Sequence, residues 1–77
     1  MNTEEMKTRL TNAYPDSRVE VIDLTGGGSN FQVVIESTAF SGQNRIQQHQ
    51  SVMKVFDDEL KSGEIHALTI KTKVIEE

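Results

Sequence analysis

No cysteine occurs among the 77 residues of this chain, so neither disulfides nor a zinc–thiolate site can staple it, and its fold must rest on one hydrophobic core. A chain this short buries only about 60% of the surface its unfolded form exposes, which predicts a single domain over residues 1–77 with a shallow surface site. The same absence excludes thiolate nucleophiles and any iron–sulfur cluster held by the chain's own sulfur. Two histidines are left as nitrogen ligands. Twelve acidic against eight basic residues give a net charge of −4, which disfavours binding polyanions through bulk charge and leaves only local basic faces for that purpose. The opening residues Met1-Asn2-Thr3-Glu4-Glu5-Met6 lack the basic and apolar regions of a secretory leader, and no apolar run nears the ~20 residues needed to cross a bilayer. A soluble protein of the reducing cytoplasm, without a membrane partner, is therefore expected.

Periodicity predicts the order helix, strand, strand, helix, strand. From Thr3 to Tyr14, Met6, Leu10 and Ala13 fall on one helical face, and Asn2 with Glu5 fits a capping box at its start. Pro15-Asp16-Ser17 ends that helix. Arg18–Leu24 and Phe31–Ser37 are β-branched strands, with Phe31, Val33 and Ile35 alternating against polar positions in the second. Between them Thr25-Gly26-Gly27-Gly28-Ser29-Asn30 reads as a mobile hairpin loop that a partner's backbone can approach closely. Asn44–Leu60 reads as one long helix with a buried stripe of Ile46, His49, Met53, Phe56 and Leu60, widened by Val52 and Val55. Gly63 suits a left-handed cap, and Ile65–Val74 resumes a strand with His66, Leu68 and Ile70 on one face. The fold class expected is α+β, with helices covering one face of a small three-stranded mixed sheet.

Catalysis finds little support in these residues, and the chain is expected not to be an enzyme. Asp57, Asp58 and Glu59 are consecutive, so they point in different directions around a helix and read as a solvated face rather than an acid/base pair. No serine sits in a nucleophile-elbow sequence. The glycine run lacks a Walker lysine and a strand-to-helix context. His66, at the start of the last strand, can present a nitrogen to a metal from the sheet rim, or can be a partly buried histidine satisfied by a carbonyl. His49, on the predicted apolar stripe, reads as a packed neutral imidazole. Arg45, Gln47, Gln48, Gln50 and Lys54 form a mildly basic polar helix face that can meet phosphates, with Arg45 and Lys54 the two cations, or can be solvated surface.

Three strings, Phe40-Ser41-Gly42, Arg45-Ile46-Gln47-Gln48-His49-Gln50-Ser51-Val52 and Ile65-His66-Ala67-Leu68-Thr69-Ile70-Lys71, occur here in the order and spacing of one family. Over almost its whole length the chain resembles the BolA-like proteins. The resemblance implies a fold like the second class of KH domain. It also implies a heterodimer with a monothiol glutaredoxin of the Cys-Gly-Phe-Ser type, sharing a [2Fe-2S] cluster whose thiolates come from the glutaredoxin and its bound glutathione. The histidine of the Ile-His-Ala-Leu strand, His66 here, is the ligand the resemblance assigns to this chain, with a homodimer as the partner-free alternative. A second family ligand, a Cys or His of the first hairpin loop, has no counterpart: Gly28, Ser29 and Asn30 occupy that stretch, and Asn30 stands where relatives with Ser-His-Phe-Gln carry histidine. An amide oxygen donates weakly to iron. The alternative function is a KH-like nucleic-acid-binding regulator, although Gly42-Gln43-Asn44-Arg45 lacks the second glycine of a KH clamp.

Overall fold

The computed structural model describes residues 1–75; Glu76 and Glu77, the acidic end of the predicted 1–77 domain, lie outside the described residues. Asn2 starts α1 (Thr3–Ala13) by accepting the Glu5 amide at 2.8 Å, with Glu4 and Glu5 placed at the positive end of the helix dipole. Met6 and Leu10 are fully buried. Ala13, expected beside them, is exposed, and Tyr14 takes the next core place. The chain leaves the helix at Tyr14, which frees that ring to stand 5.2 Å from Phe40 and its hydroxyl to bond Ser51.

Strands β1 (Ser17–Asp23) and β2 (Asn30–Ser37) pair antiparallel, and β3 (Ala67–Val74) lies parallel to β2, giving the order β1-β2-β3 with β2 central. Every second residue of β2, Phe31, Val33, Ile35 and Ser37, is buried. The paired rows Val21–Val33–Ile70 and Val19–Ile35–Thr72 continue that inner face across the sheet. Helices cover this face, while Arg18, Glu20, Lys71 and Lys73 stand exposed on the other. The α+β class, the element order and the mixed three-stranded sheet agree with the KH-like arrangement.

After the short 3-10 turn α2 (Thr38–Phe40), which plants Phe40 in the core, the predicted single helix is two: α3 (Arg45–Val55) and α4 (Asp57–Ser62), separated at Phe56. The physical reason lies in Asp57-Asp58-Glu59. Three carboxylates are unfavourable near the negative end of a long helix but favourable in the first turn of a new one. The break also moves the buried face. Gln48, Val52 and Phe56 point inward, whereas Ile46 is 68% and Met53 45% exposed. The predicted stripe is thus right at Val52 and Phe56, with Val55 and Leu60 packed against the core, and wrong at Ile46 and Met53, which lie on the outer flank of α3. Binary patterning missed Gln48 because its amide is satisfied: it donates to the Gln43 carbonyl at 2.8 Å and accepts from the Thr72 hydroxyl. An Asn44–Gln47 capping box starts α3, and Gly63, at φ 83°, ends α4 in the left-handed conformation.

Glu59 corrects another expectation, for it is buried rather than solvated. One carboxylate oxygen pairs with the Arg9 guanidinium and the other has no hydrogen-bond partner. Lys61, exposed one turn beyond Asp57, accords with the solvated reading of that residue: its 2.9 Å hydrogen bond to Asp57, then the charge attraction itself, hold the lysine pKa up.

Candidate functional site

His66 stands immediately before β3, exposed, with its backbone N–H donating to the Ser29 carbonyl at 2.8 Å. The adjacent Ala67 N–H reaches the same oxygen at 3.3 Å. Two donors on one carbonyl fix the end of β3 to the end of the glycine loop, so His66, Gly28, Ser29 and Asn30, which share no sequence proximity across that gap, come together at one rim of the sheet. Ile65, 2% exposed, anchors the chain just before the imidazole, and its amide bonds the Glu59 carbonyl. The backbone of His66 is thus held on both sides while no side-chain hydrogen bond ties its ring among the described residues. Of its two alternatives, the partly buried ring satisfied by a carbonyl does not occur.

Composition alone suggests a slack loop, but Asp23 gives it a defined shape. Its carboxylate accepts from the amides of Thr25 at 3.3 Å, Gly26 at 2.9 Å and Gly28 at 3.0 Å. Gly28 has a φ of 74°, and a Cβ there would stand 3.4 Å from the Met1 carbonyl, so a side chain is disfavoured by conformation first and space second. Replacing Asp23 with Ala is expected to cost about 1 kcal/mol, the net worth of a hydrogen-bonded group at a wet site. Hydrogen exchange should show the Gly26 and Gly28 amides accelerated while core amides keep their rank; unchanged loop exchange would remove Asp23 from this role.

Asn30 shares the open face of the sheet with Ala67, and its amide nitrogen lies 3.5 Å from the Thr25 hydroxyl. It braces the loop. No group of three or more His, Cys, Asp or Glu that could hold a metal occurs among the described residues. The donor set at this rim is one imidazole, suited to complete a metal centre assembled elsewhere and insufficient to build one.

His49 is not packed in the core as expected. Half-buried on the flank of α3, it lines a concavity of about 250 Å³ with Arg45, Ile70, Lys71 and Thr72. Arg45 and Lys54, the two cations of the phosphate-binding alternative, are nine positions apart on α3. At 3.6 residues per turn that separation is two and a half turns, so they face opposite sides of the helix. A single nucleic-acid backbone lying along α3 cannot use both. Gln48, counted on the same face from sequence, is inside the protein. No helix among the described residues is long and apolar enough to cross a membrane.

The fold recurs in known proteins. Protein BOLA2 of Arabidopsis thaliana is 39% identical over 69 residues, 88% of this chain and 72% of that one. The acid stress protein IbaG of Escherichia coli strain K12 is 32% identical over 71 residues, 92% of this chain and 81% of that one. The solved structure of BolA1 from Arabidopsis thaliana superposes with a TM-score of 0.84 at 26% identity, covering 96% of this chain and 93% of the other. The family model for BolA-like protein matches residues 4–77. The fold is accordingly shared with these proteins, and the chain belongs to the BolA-like family.

Proposed function

We propose that this protein is a non-catalytic adaptor of the reducing cytoplasm. In this role it docks a monothiol glutaredoxin and lends the His66 imidazole to a [2Fe-2S] cluster whose thiolates come from that partner and its glutathione. The observation that carries the proposal is the exposed, untethered ring of His66 on a backbone locked by Ser29 and Ile65. Preorganising the backbone while leaving the imidazole accessible is what a ligand for an incoming metal centre requires. A cluster of this kind supplies redox-active iron whose potential follows its ligands. This chain supplies one neutral nitrogen, and its lack of cysteine makes its hold on iron dependent on the partner. Asn30 is engaged with Thr25 and adds no strong donor.

His66→Ala tests the assignment. Because the ring makes no side-chain hydrogen bond among the described residues and is exposed, the variant is expected to keep its thermal midpoint within the small range usual for surface substitutions. Reconstituted anaerobically with a Cys-Gly-Phe-Ser glutaredoxin, it should change the visible absorption and circular dichroism of the cluster and release iron faster than the parent. Superimposable spectra for the two proteins at equal iron and sulfide content would end the ligand role. Iron and sulfide stoichiometry near zero in a parent complex that still forms would keep association as the function and remove cluster sharing.

A further inference from the structure

The cleft beside His49 is an edge, and its position and charge say what can fill it. Ala67 donates its amide to the carbonyl of Ser29, just before β2, at 3.3 Å, and Ile75 to that of Ser37, the last residue of β2, at 3.2 Å. A parallel ladder alternates residue by residue, so residues 69, 71 and 73 also turn their backbone groups toward β2. The N–H and C=O groups of Leu68, Ile70, Thr72 and Val74 then face away from it. No strand pairs with that side of β3 among the described residues. Ile70 and Thr72, the centre of this free edge, line the concavity with Arg45 and His49.

Cations stand on both faces of the edge, Arg45 on one and Lys71 and Lys73 on the other, with Lys73 3.9 Å from the Glu36 carboxylate. Arg45 and His49 sit one turn apart on the helix flank above it, and Lys71 and Lys73 project from β3 on the opposite face. Arg45, His49 and Lys71 make no ion pair among the described residues. Strand β3 itself, Ala-Leu-Thr-Ile-Lys-Thr-Lys-Val, contains no acid. A second copy adding antiparallel about Lys71 would set like charges opposite each other, the arrangement that keeps edge strands from self-pairing. An extended segment with carboxylates would meet cations on both of its faces.

We propose that the free edge of β3 is a strand-addition site for an extended, acidic segment of a protein partner. Main-chain bonds to Ile70 and Thr72 supply the affinity, and Arg45 with His49 on one face and Lys71 on the other select carboxylate side chains. Ile46 and Met53, exposed on the same flank of α3, extend the surface with apolar contact. The site is distinct from the His66 rim and does not depend on the cluster assignment.

The probe is a ten-residue peptide of alternating Glu and Val, titrated into the 15N-labelled protein, with the Lys-Val peptide and a single-stranded DNA oligonucleotide as comparisons. At saturation the Glu-Val peptide is expected to slow exchange of the Ile70 and Thr72 amides at least about tenfold, leaving the His66 signals in place. The Arg45→Gln, Lys71→Gln double variant, altered only at exposed side chains, should weaken the peptide about tenfold at low salt, with the difference shrinking as salt rises. Unprotected Ile70 and Thr72 amides, equal binding of the Lys-Val peptide, or an unaffected double variant would overturn the proposal. Protection that grows with protein concentration alone would assign the edge to a second copy, and oligonucleotide binding with matching shifts would assign the cations to phosphate; either result also overturns it.

Discussion

Phe56→Ala is expected to lower the thermal midpoint by roughly 12–40 °C, because emptying a fully buried aromatic site costs about 3–5 kcal/mol and each kcal/mol moves a domain of this size by about 4–8 °C. A 77-residue domain has only about 4–12 kcal/mol in hand. The ring sits at the junction of α3 and α4, under the Arg9 guanidinium at 6.0 Å from its centroid. Its loss therefore loosens both helices and the first. Met53→Ala is the control, since that side chain is nearly half exposed and should change the midpoint little. Urea denaturation of the two variants decides which flank of α3 is buried. A Phe56→Ala protein as stable as the parent, or a Met53→Ala protein as weak as Phe56→Ala is expected to be, would reverse the assignment.

The second large effect belongs to Glu59. Its carboxylate is 7% exposed with one oxygen unpartnered, whereas Arg9 across from it is 46% exposed. Arg9→Ala leaves an uncompensated charge inside the protein, expected to cost about 2–3 kcal/mol; full burial of both partners would cost about 3–5, and the open side of Arg9 admits water that screens the pair. Replacing Glu59 with Met in the Arg9→Ala background removes the stranded charge and should restore most of the loss, because an apolar side chain of similar volume fills the same space. Equilibrium denaturation of the parent, single and double variants reads this directly. If Arg9→Ala is silent, the pair contributes nothing and the buried carboxylate is satisfied another way. Because the Glu59 carbonyl accepts the Ile65 amide, the same latch bears on the position of His66.

Much of the site follows from local rules. The glycine at 63 follows from turn chemistry and caps α4 as expected, whereas the strand expected at Ile65–Val74 begins at Ala67 and leaves His66 just outside it, and of the two readings open for His66 the exposed one is observed. The meeting of His66 with Ser29 does not, because it rests on a parallel pairing between segments separated by a helix pair, and no local periodicity encodes register across such a gap. The clamp of Asp23 on the loop amides had a sequence signal in Asp23-Leu24-Thr25-Gly26, an Asx-type turn start with the accepted amide two residues on, masked by reading the glycines only as freedom. His49 was misplaced for a different reason: a helical stripe counted in hydrophobic residues alone was drawn through Ile46 and Met53, while the true inward face carries Gln48.

The sequence by itself determined the order of the first helix, the hairpin, the second helical region and the last strand, the caps at Asn2 and Gly63, and the dependence of any iron chemistry on foreign thiolates. Those properties depend on neighbours within one helical turn, or on composition, and need no partner segment. Tertiary structure decided which side of α3 is buried, that Asp57-Asp58-Glu59 begins a helix, that Glu59 enters the interior on the strength of Arg9, and that His66 stands beside the glycine loop. Each of these turns on a contact between residues far apart in the chain. There a buried amide or carboxylate is tolerated once a distant group satisfies it, and only the folded arrangement supplies that group.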